Sequence, residues 1–241
     1  MVEPRTALVT GAAGGIGRVI CADLAEHGYT VVAADMAGAD AGTDPPGAAQ
    51  AVGLDIRSGD SCRAAVAEVL DRFGRLDLLV NNAGINARGR TEDMPESLWG
   101  NVVDVNLNGT FRMCQAAHPA LAERGGAVVN LASTGGLVAI AGAAMYGVTK
   151  AAIIQLTKIL ALEWAGAGIR VNAVAPTIVA TPMTSDVLDD TEYMAAKLAT
   201  IPLGRVVTAQ EVADAVRWLA SAQAAMVTGQ TVAVDGGVSV L

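Results

Sequence analysis

The sequence predicts an α/β fold: a Rossmann-like, doubly wound parallel sheet of about seven strands flanked by helices. Two observations lead to this prediction. Short apolar, β-branched runs alternate with segments of helical periodicity along the 241 residues, and a glycine-rich turn joins the first strand to the first helix. Strands that alternate with helices imply parallel pairing through right-handed crossovers. We therefore expect residues 1–241 to form a single domain.

The same patterns place the individual elements in order. Strands are predicted at residues 6–10, 31–34, 51–54, 76–81, 127–132, 169–175 and 231–234, and helices at residues 18–26, 61–73, 97–122, 142–165 and 209–221. We expect the helix at 97–122 to be interrupted at Gly109 and Pro119. Residues 37–50 are predicted to form a surface loop, and the segment at about 177–203 a lid over a substrate.

Charge and composition argue against several classes of partner. The net charge is −8 and no basic cluster is present, so we expect no nucleic-acid binding. His27 and His118 stand alone in the sequence, and we therefore expect no metal site. The most apolar long segment, residues 151–165, is broken by Gln155, Lys158 and Glu163, which argues against a membrane span.

The cysteines indicate a reducing compartment. Cys21, Cys62 and Cys114 are few, widely spaced and odd in number, which is typical of buried reduced thiols and not of a disulfide framework. The first predicted strand begins almost at the N-terminus, with no signal peptide before it. We therefore expect a cytoplasmic protein.

Residues 6–35 have the layout of a dinucleotide-binding unit: strand, glycine loop, helix, strand and acid. Glycines in the loop at residues 11–17 let the backbone approach a pyrophosphate at the N-terminus of the following helix. Asp35 ends the second strand, where a carboxylate accepts hydrogen bonds from ribose hydroxyls and repels a 2′-phosphate. We therefore expect NAD as cofactor and not NADP, although Arg18 is nearby in the sequence.

Several polar or glycine-rich segments follow the predicted ends of strands. Because ligands bind beyond the carboxyl ends of parallel strands, we expect these segments to form one site. They are residues 11–17, Asp35, Asp55, residues 82–84, Ser133 and residues 176–181.

Tyr146 and Lys150 are four residues apart in a predicted helix, which places both side chains on one face. A neighbouring ammonium group favours phenolate over phenol, and this lowers a pKa that is otherwise about 10. With the hydroxyl of Ser133 to hold a substrate oxygen, the three groups can exchange a proton with an alcohol or a ketone. The alternative is a half-buried aromatic residue beside a solvated lysine.

Taken together, these residues resemble the short-chain dehydrogenase/reductase family over the whole chain. Residues 10–17 (TGAAGGIG) resemble its cofactor loop, residues 81–84 are its NNAG motif, and residues 146–150 (YGVTK) supply its YxxxK motif. Asn106, in Val-Asn-Leu-Asn-Gly, occupies the place of the catalytic Asn, and Ser133 has the usual spacing before Tyr146.

The resemblance implies a role for each of the four catalytic residues. Ser133 hydrogen-bonds the substrate oxygen, Tyr146 is the general acid/base, Lys150 lowers the pKa of Tyr146 and holds the nicotinamide ribose, and Asn106 positions a water in a proton relay. The predicted cofactor contacts are Gly11, Gly14, Gly15, Ile16, Gly17, Asp35, Asp55, Ile56, Asn82, Ala83, Gly84, Tyr146, Lys150, Pro176, Ile178, Val179 and Thr181.

One residue departs from the family pattern. Pro176 is followed by Thr177, where the family usually has Gly. Thr cannot adopt backbone angles reserved for Gly without strain, and its hydroxyl and methyl lie near the expected substrate. The departure therefore bears on substrate shape more than on cofactor binding.

We expect an NAD(H)-dependent oxidoreductase that interconverts a secondary alcohol and a ketone. The alternatives are a 3-oxoacyl-thioester reductase and a dinucleotide-binding regulator without turnover. The predicted substrate pocket is mostly apolar and favours an uncharged small molecule, unless Arg88 and Arg90 fold inward. Its candidate residues are Ser133, Gly135, Leu137, Ile140, Met145, Thr177, Met183 and Val187.

The family is commonly tetrameric, and the helix predicted at 142–165 is apolar on nearly every face. Such a helix requires cover from the core or from another subunit. We therefore expect a homotetramer.

Overall fold

The computed structural model describes residues 4–36, 45–181, 184 and 191–240, without the side chain of Tyr193. Seven parallel strands form one sheet in the order β3-β2-β1-β4-β5-β6-β7. Their bounds are Arg5–Thr10 (β1), Tyr29–Asp35 (β2), Ala48–Gly53 (β3), Leu78–Asn81 (β4), Ala127–Leu131 (β5), Arg170–Pro176 (β6) and Thr231–Val234 (β7). The predicted parallel sheet is confirmed.

Helices cover both faces of the sheet. Their bounds are Gly15–Glu26 (α1), Gly59–Phe73 (α2), Glu96–Val103 (α3), Gly109–Ala122 (α4), Ala144–Trp164 (α5), Thr191–Ala199 (α6) and Ala209–Ala220 (α7). Side chains of α1 and α7 share one apolar cluster with the sheet, and side chains of α2, α4 and α5 share another. Because both faces are covered, the strands consist of almost continuous apolar residues.

The strand order reverses between β1 and β4. From β1 the chain builds outward through β2 and β3, whereas β4 and the later strands add on the other side. In such sheets the crevice for a ligand opens where the order reverses, beyond the carboxyl ends of the strands. The glycine loop after β1 and Asn82 after β4 both lie at this point.

The helix predicted at 97–122 is continuous, and the expected interruptions at Gly109 and Pro119 are wrong. A π-helical turn at Asp104–Asn108 joins α3 to α4, and Pro119 lies within α4. Gly109 serves close packing here, because a Cβ at this position would be 2.7 Å from Cγ1 of Ile56. The π turn inserts Asn106 into the interior, where it is fully buried.

The predicted loop at 37–50 is only partly correct. Residues 48–50 begin β3, which pairs with β2 at the edge of the sheet, while residues 37–44 lie outside the described residues. The pattern Ala-Ala-Gln is a weak strand signal, and pairing with β2 overrides it. Of the predicted lid at 177–203, the structure describes all but residues 182, 183 and 185–190, and α6 is its main helix.

A buried ion pair joins α1 to α7. Asp23 is 4% exposed and accepts hydrogen bonds from Nε of Arg217 at 2.9 Å and from Nε2 of Gln210 at 2.8 Å. A buried carboxylate is costly unless it is paired and hydrogen-bonded, and here both oxygens have a partner. The contact fixes α1, whose N-terminus faces the crevice, against α7.

The segment Ala144–Ala167, which contains α5, has the length and composition of a membrane-spanning helix. The structure places this helix against the sheet, with Lys150 and Thr157 buried between α5 and β5. A helix in this position is a core element of a folded domain, and its apolar character follows from that burial.

Candidate active site

The glycine loop between β1 and α1 packs tightly against the end of β4. Gly11 has a φ of +63°, and a Cβ there would be 2.7 Å from Cα of Ala83. Nδ2 of Asn82 donates hydrogen bonds to the carbonyl oxygens of Thr10 at 3.0 Å and Gly11 at 2.8 Å. A Cβ on Gly17 would collide with the carbonyl oxygen of Gly11. The glycines therefore let α1 begin close to the sheet, with its first amides directed at the crevice.

A cavity of about 600 Å³ opens over this loop. Fourteen of the predicted cofactor contacts line it: Gly11, Gly14, Gly15, Ile16, Asp35, Asp55, Ile56, Asn82, Ala83, Gly84, Tyr146, Lys150, Pro176 and Thr181. The cavity thus brings the parts predicted for adenosine, pyrophosphate and nicotinamide into one continuous space. Gly11, Gly14, Gly15 and Gly84 line it beside the N-terminus of α1, which favours an anion such as a pyrophosphate, so the lining fits a dinucleotide.

Gly17, Ile178 and Val179 lie outside this lining. Gly17 is buried behind the loop, at the contact with the carbonyl oxygen of Gly11. Ile178 and Val179 are buried. Their segment pairs with Val207, whose N–H donates a hydrogen bond to the carbonyl oxygen of Ile178 at 3.0 Å. These residues support the walls of the cavity and do not form its surface.

Asp35 is held at the edge of the cavity by the loop itself. Oδ2 accepts a hydrogen bond from the N–H of Ala13 at 2.8 Å, and Oδ1 accepts one from the N–H of Met36 at 2.8 Å. A carboxylate oxygen has room for a second hydrogen bond. Asp35 can therefore accept ribose hydroxyls without giving up the contact that positions it.

Sequence reasoning missed Arg57, which also lines the cavity. Its guanidinium binds Asp55 through both carboxylate oxygens, with Nε–Oδ1 and Nη2–Oδ2 distances of 2.9 Å, and these hydrogen bonds lower the pKa of the Asp55 carboxyl. The available signal was the Asp-Ile-Arg spacing directly after a strand. Among the described lining residues, Arg57 and Lys150 are the two cations.

Tyr146, Lys150 and Ser133 come together as predicted. Tyr146 forms a side-chain hydrogen bond with Ser133. Nζ of Lys150 lies 5.4 Å from the ring centroid of Tyr146 and donates to the carbonyl oxygen of Leu131 at 2.6 Å. Oγ of Ser133 also accepts a hydrogen bond from the N–H of Gly135 at 3.1 Å, so its orientation is fixed from two sides.

The pKa values of this pair differ from the simple expectation. Burial raises the pKa of Tyr146, while the hydrogen bond from Ser133 and the positive charge of Arg88 lower it. Burial lowers the pKa of Lys150 to about 8. Without cofactor, burial therefore disfavours the charged form of both groups. Without cofactor, Ser133 and Arg88 are the groups that favour the phenolate.

Asn106 links the NNAG segment to α5. Its Oδ1 accepts a hydrogen bond from the N–H of Ile85 at 2.8 Å, and its Nδ2 donates to the carbonyl oxygen of Ile85 at 2.9 Å and to Oγ1 of Thr149 at 3.2 Å. Asn108 is exposed and binds Asp104, so Asn106 is the one that faces the site. Its role in a proton relay stays a prediction.

The predicted substrate residues are less well gathered. Gly135 donates a hydrogen bond to Ser133, and a Cβ on Gly135 would be 3.5 Å from Cδ1 of Ile140, so these three residues lie together. Leu137, by contrast, is 41% exposed. Met145 is buried and lines a separate cavity of about 160 Å³ with Met94 and Trp99. Met183 and Val187 lie outside the described residues.

Thr177 extends the pairing of β6 with β7. Its N–H donates a hydrogen bond to the carbonyl oxygen of Val234 at 3.2 Å. The backbone here continues the strand for one more residue. The residue that departs from the family pattern is therefore anchored by its main chain.

Arg88 is expected to tune the pKa of Tyr146. Replacing it in the variant Arg88→Met removes a positive charge that favours the phenolate, so the pKa of Tyr146 rises. The pH at which alcohol oxidation reaches half of its maximal kcat/KM then moves upward by as much as about one pH unit. Arg90→Met is the matched control, because Arg90 is exposed and paired with Glu92. An equal change in both variants, or in neither, contradicts this role for Arg88.

Known proteins resemble this chain over nearly its whole length. A family model described as enoyl-(acyl carrier protein) reductase matches residues 11–239. The chain is 43% identical over 246 residues to 3-oxoacyl-(acyl-carrier-protein) reductase of Staphylococcus aureus, covering 98% of this chain and 99% of that protein. It is 38% identical over 247 residues to D-threitol dehydrogenase of Mycolicibacterium smegmatis, covering 99% of this chain and 94% of that protein.

A solved structure of similar fold is gluconate 5-dehydrogenase from Burkholderia cenocepacia in complex with NADP and tartrate. It matches with a TM-score of 0.94 and 33% identity, covering 100% of this chain and 97% of that one. These matches extend over nearly the whole sequence. The chain therefore belongs to the short-chain dehydrogenase/reductase family.

Proposed function

We propose that this protein interconverts a secondary alcohol and a ketone with NAD(H), and that Tyr146 is the general acid/base. Membership of the family makes the chain an oxidoreductase. The observation that carries the finer proposal is the contact between Tyr146 and Ser133, with Lys150 beside Tyr146 and both Tyr146 and Lys150 lining the cavity that the glycine loop borders. A non-catalytic regulator has no need of this arrangement.

The residues of this chain have two tasks: one group transfers the proton, and the others hold the substrate and the cofactor. When bound, the nicotinamide group of NAD(H) accepts or supplies the hydride. The phenol of Tyr146 takes the proton of an alcohol or gives one to a ketone. The hydroxyl of Ser133 holds the substrate oxygen beside that phenol. Nζ of Lys150 has three hydrogen atoms and uses one on Leu131, so two remain for ribose hydroxyls.

Asp35 supports NAD over NADP. Its carboxylate stands where a 2′-phosphate would bring a second negative charge. Among the described lining residues, Arg57 is the cation on this side, and Asp55 already binds it. The name of the Burkholderia relative includes NADP, so relatives of similar fold differ from the preference proposed here.

A variant of Asp35 tests the cofactor preference. We expect Asp35→Ser, which replaces the charged carboxylate by a neutral hydroxyl, to lower kcat/KM for NAD⁺ and to raise it for NADP⁺. The ratio between the two should change by at least about tenfold, since one like-charge contact is worth about 1–2 kcal/mol. Met36→Ala is the control, because Met36 lines the same end of the cavity without charge. A ratio that already favours NADP⁺ in the unaltered protein contradicts the proposal.

The substrate range follows from the charges at the site. The candidate substrate residues are mostly apolar and therefore favour an uncharged alcohol. Arg88 and Arg90 are two charged side chains that follow the NNAG segment. Arg90 is paired with Glu92 on the surface, whereas the charge of Arg88 acts on Tyr146. We therefore include hydroxy acids beside neutral secondary alcohols in the range that we propose.

A second candidate is reduction of a 3-oxoacyl thioester. The similarity to the Staphylococcus aureus reductase favours it, at 43% identity over 98% of this chain. Asp35 argues against it to the extent that this reaction depends on NADPH. Both candidates use the same proton donor, Tyr146.

We further propose a cytoplasmic homotetramer whose residues 1–241 act as one domain, with residues 177–203 as a lid. Support for assembly comes from α5, whose side chains Val148, Ile159 and Leu162 are 52%, 43% and 83% exposed. Apolar side chains grouped on one helix favour cover by another subunit. Cys21, Cys62 and Cys114 are free and buried, which supports a reducing compartment.

Removing the phenol tests the proposed reaction. With NAD⁺ and a panel of alkyl, aryl, polyol, steroid, hydroxy-acid and 3-hydroxyacyl alcohols, the near-ultraviolet absorbance of NADH should rise for one class. Tyr146→Phe should lower that rate by about 10²–10⁴-fold, because general acid–base catalysis contributes about that much. NADH binding, followed by its fluorescence, should persist. Full turnover in Tyr146→Phe contradicts the role of Tyr146.

A further inference from the structure

Three hydrogen bonds join one face of α5 to the end of β5 and the residues after it. Tyr146 contacts Ser133, Nζ of Lys150 donates to the carbonyl oxygen of Leu131 at 2.6 Å, and Oγ1 of Thr157 accepts from Nδ2 of Asn130 at 2.9 Å. The helix residues are spaced by four and seven, so they lie on one face. The first two contacts belong to the proposed reaction. The third lies deeper and has no part in it so far.

The direction of the third contact is fixed by hydrogen-atom count. The hydroxyl of Thr157 donates its one hydrogen to the carbonyl oxygen of Ile153 at 2.8 Å. It must therefore accept from Asn130, which orients the Asn130 amide with its Nδ2 towards α5. Oδ1 of Asn130 then faces β4 and accepts from Nδ2 of Asn81 at 2.8 Å. Each amide has a single orientation that satisfies its neighbours.

Thr157, Asn130 and Asn81 thus form a row of hydrogen-bonded side chains, and this row ends at the thiol of Cys114. The second hydrogen on Nδ2 of Asn81 points to Sγ of Cys114 at 3.2 Å. Asn81, Asn130, Thr157 and Cys114 are each no more than 3% exposed. Oδ1 of Asn81 is buried with no hydrogen-bond partner among the described residues. The row thus spans α4, β4, β5 and α5 in one direction.

Stability alone does not account for this row. A buried acceptor without a partner destabilises a fold, and apolar side chains of similar shape in place of a polar pair are often neutral or stabilising. What polar side chains add is a fixed relative position, because a hydrogen bond tolerates little displacement whereas apolar surfaces slide. The useful property of the row is therefore geometric.

The position that it fixes is that of α5. Lys150 and Thr157 are two turns apart, about 10 Å along the helix axis. Two hydrogen bonds at this separation define both the height and the rotation of the helix over β5. Without the bond at Thr157, the hydrogen bonds that remain, from Lys150 to Leu131 and from Asn106 to Thr149, hold only the first turns of α5. The helix can then pivot about these turns, and Tyr146 moves relative to Ser133.

We propose that Thr157 and Asn130 are positioning residues for Tyr146 and Lys150, acting through the register of α5 against β5. This inference rests on the proposed function, since it concerns the same reaction. Displacements of about 1 Å at a reacting group cost on the order of 100-fold in rate. A remote hydroxyl that holds the helix in place therefore has a measurable effect on turnover.

Thr157→Val removes the hydroxyl and keeps the shape, and Thr157→Ser keeps the hydroxyl. With the alcohol that the wild type oxidises, we expect Thr157→Val to lower kcat at least about tenfold, with little change in KM or in the Kd for NADH. The pH at half-maximal rate should move upward, because Ser133 lowers the pKa of Tyr146 only while it hydrogen-bonds the phenol. Thr157→Ser should stay within about twofold of wild type.

If Thr157→Val does not fold, Thr157→Ala takes its place in the test. The smaller alanine leaves space for a water that can accept a hydrogen bond from the Asn130 amide. A lower melting temperature with unchanged kcat and pH profile would mean a purely structural role and overturn the proposal. Equal losses of kcat in Thr157→Ser and Thr157→Val would also overturn it. Failure here is separable from failure of the proposed function, because wild-type turnover and its loss in Tyr146→Phe do not depend on Thr157.

Discussion

The buried ammonium group of Lys150 is the constraint on which the rest of the site depends. A lysine that is 4% exposed needs a hydrogen-bond acceptor, and the carbonyl oxygen of Leu131 at the end of β5 supplies it. The backbone must come close for this contact to form. A Cβ on Gly136 would be 2.7 Å from the amide nitrogen of Ala151, so only Gly allows the turn after β5 to lie against α5. Tyr146 then follows one helical turn away, opposite Ser133.

The cofactor cavity and the proton-transfer groups share one edge of the sheet for a topological reason. Chain segments after β1 to β6 all leave the sheet at the carboxyl ends of parallel strands, so each delivers its residues to the same crevice. Asn82 joins two of these segments by binding the carbonyl oxygens of Thr10 and Gly11. The site is therefore coupled to the core through main-chain contacts.

Local patterns in the sequence predicted the strands, the glycine loop and the pairing of Tyr146 with Lys150, because each depends on residues close together in the chain. Contacts between residues far apart in the sequence cannot be predicted from such local patterns. The bond from Thr157 to Asn130 and the effect of Arg88 on Tyr146 link elements that only the folded sheet brings together. The π turn at Asp104–Asn108 was missed for a related reason: burial of Asn106 against Ile85 keeps helical a segment that Gly109 and Pro119 suggested would break.

The proposed reaction requires the phenol of Tyr146 to lose its proton more readily once the positively charged nicotinamide of NAD⁺ lies beside it. The most direct test is an ultraviolet difference titration of tyrosinate, in which the spectrum of Tyr146→Phe is subtracted from that of wild type, with and without NAD⁺. We expect the phenol to ionise above its ordinary pKa of about 10 in the free protein, because burial dominates. With NAD⁺ bound we expect it to ionise well below that value, because a positive charge nearby favours the phenolate. A pKa for Tyr146 that stays at or above 10 in the presence of saturating NAD⁺ would contradict it.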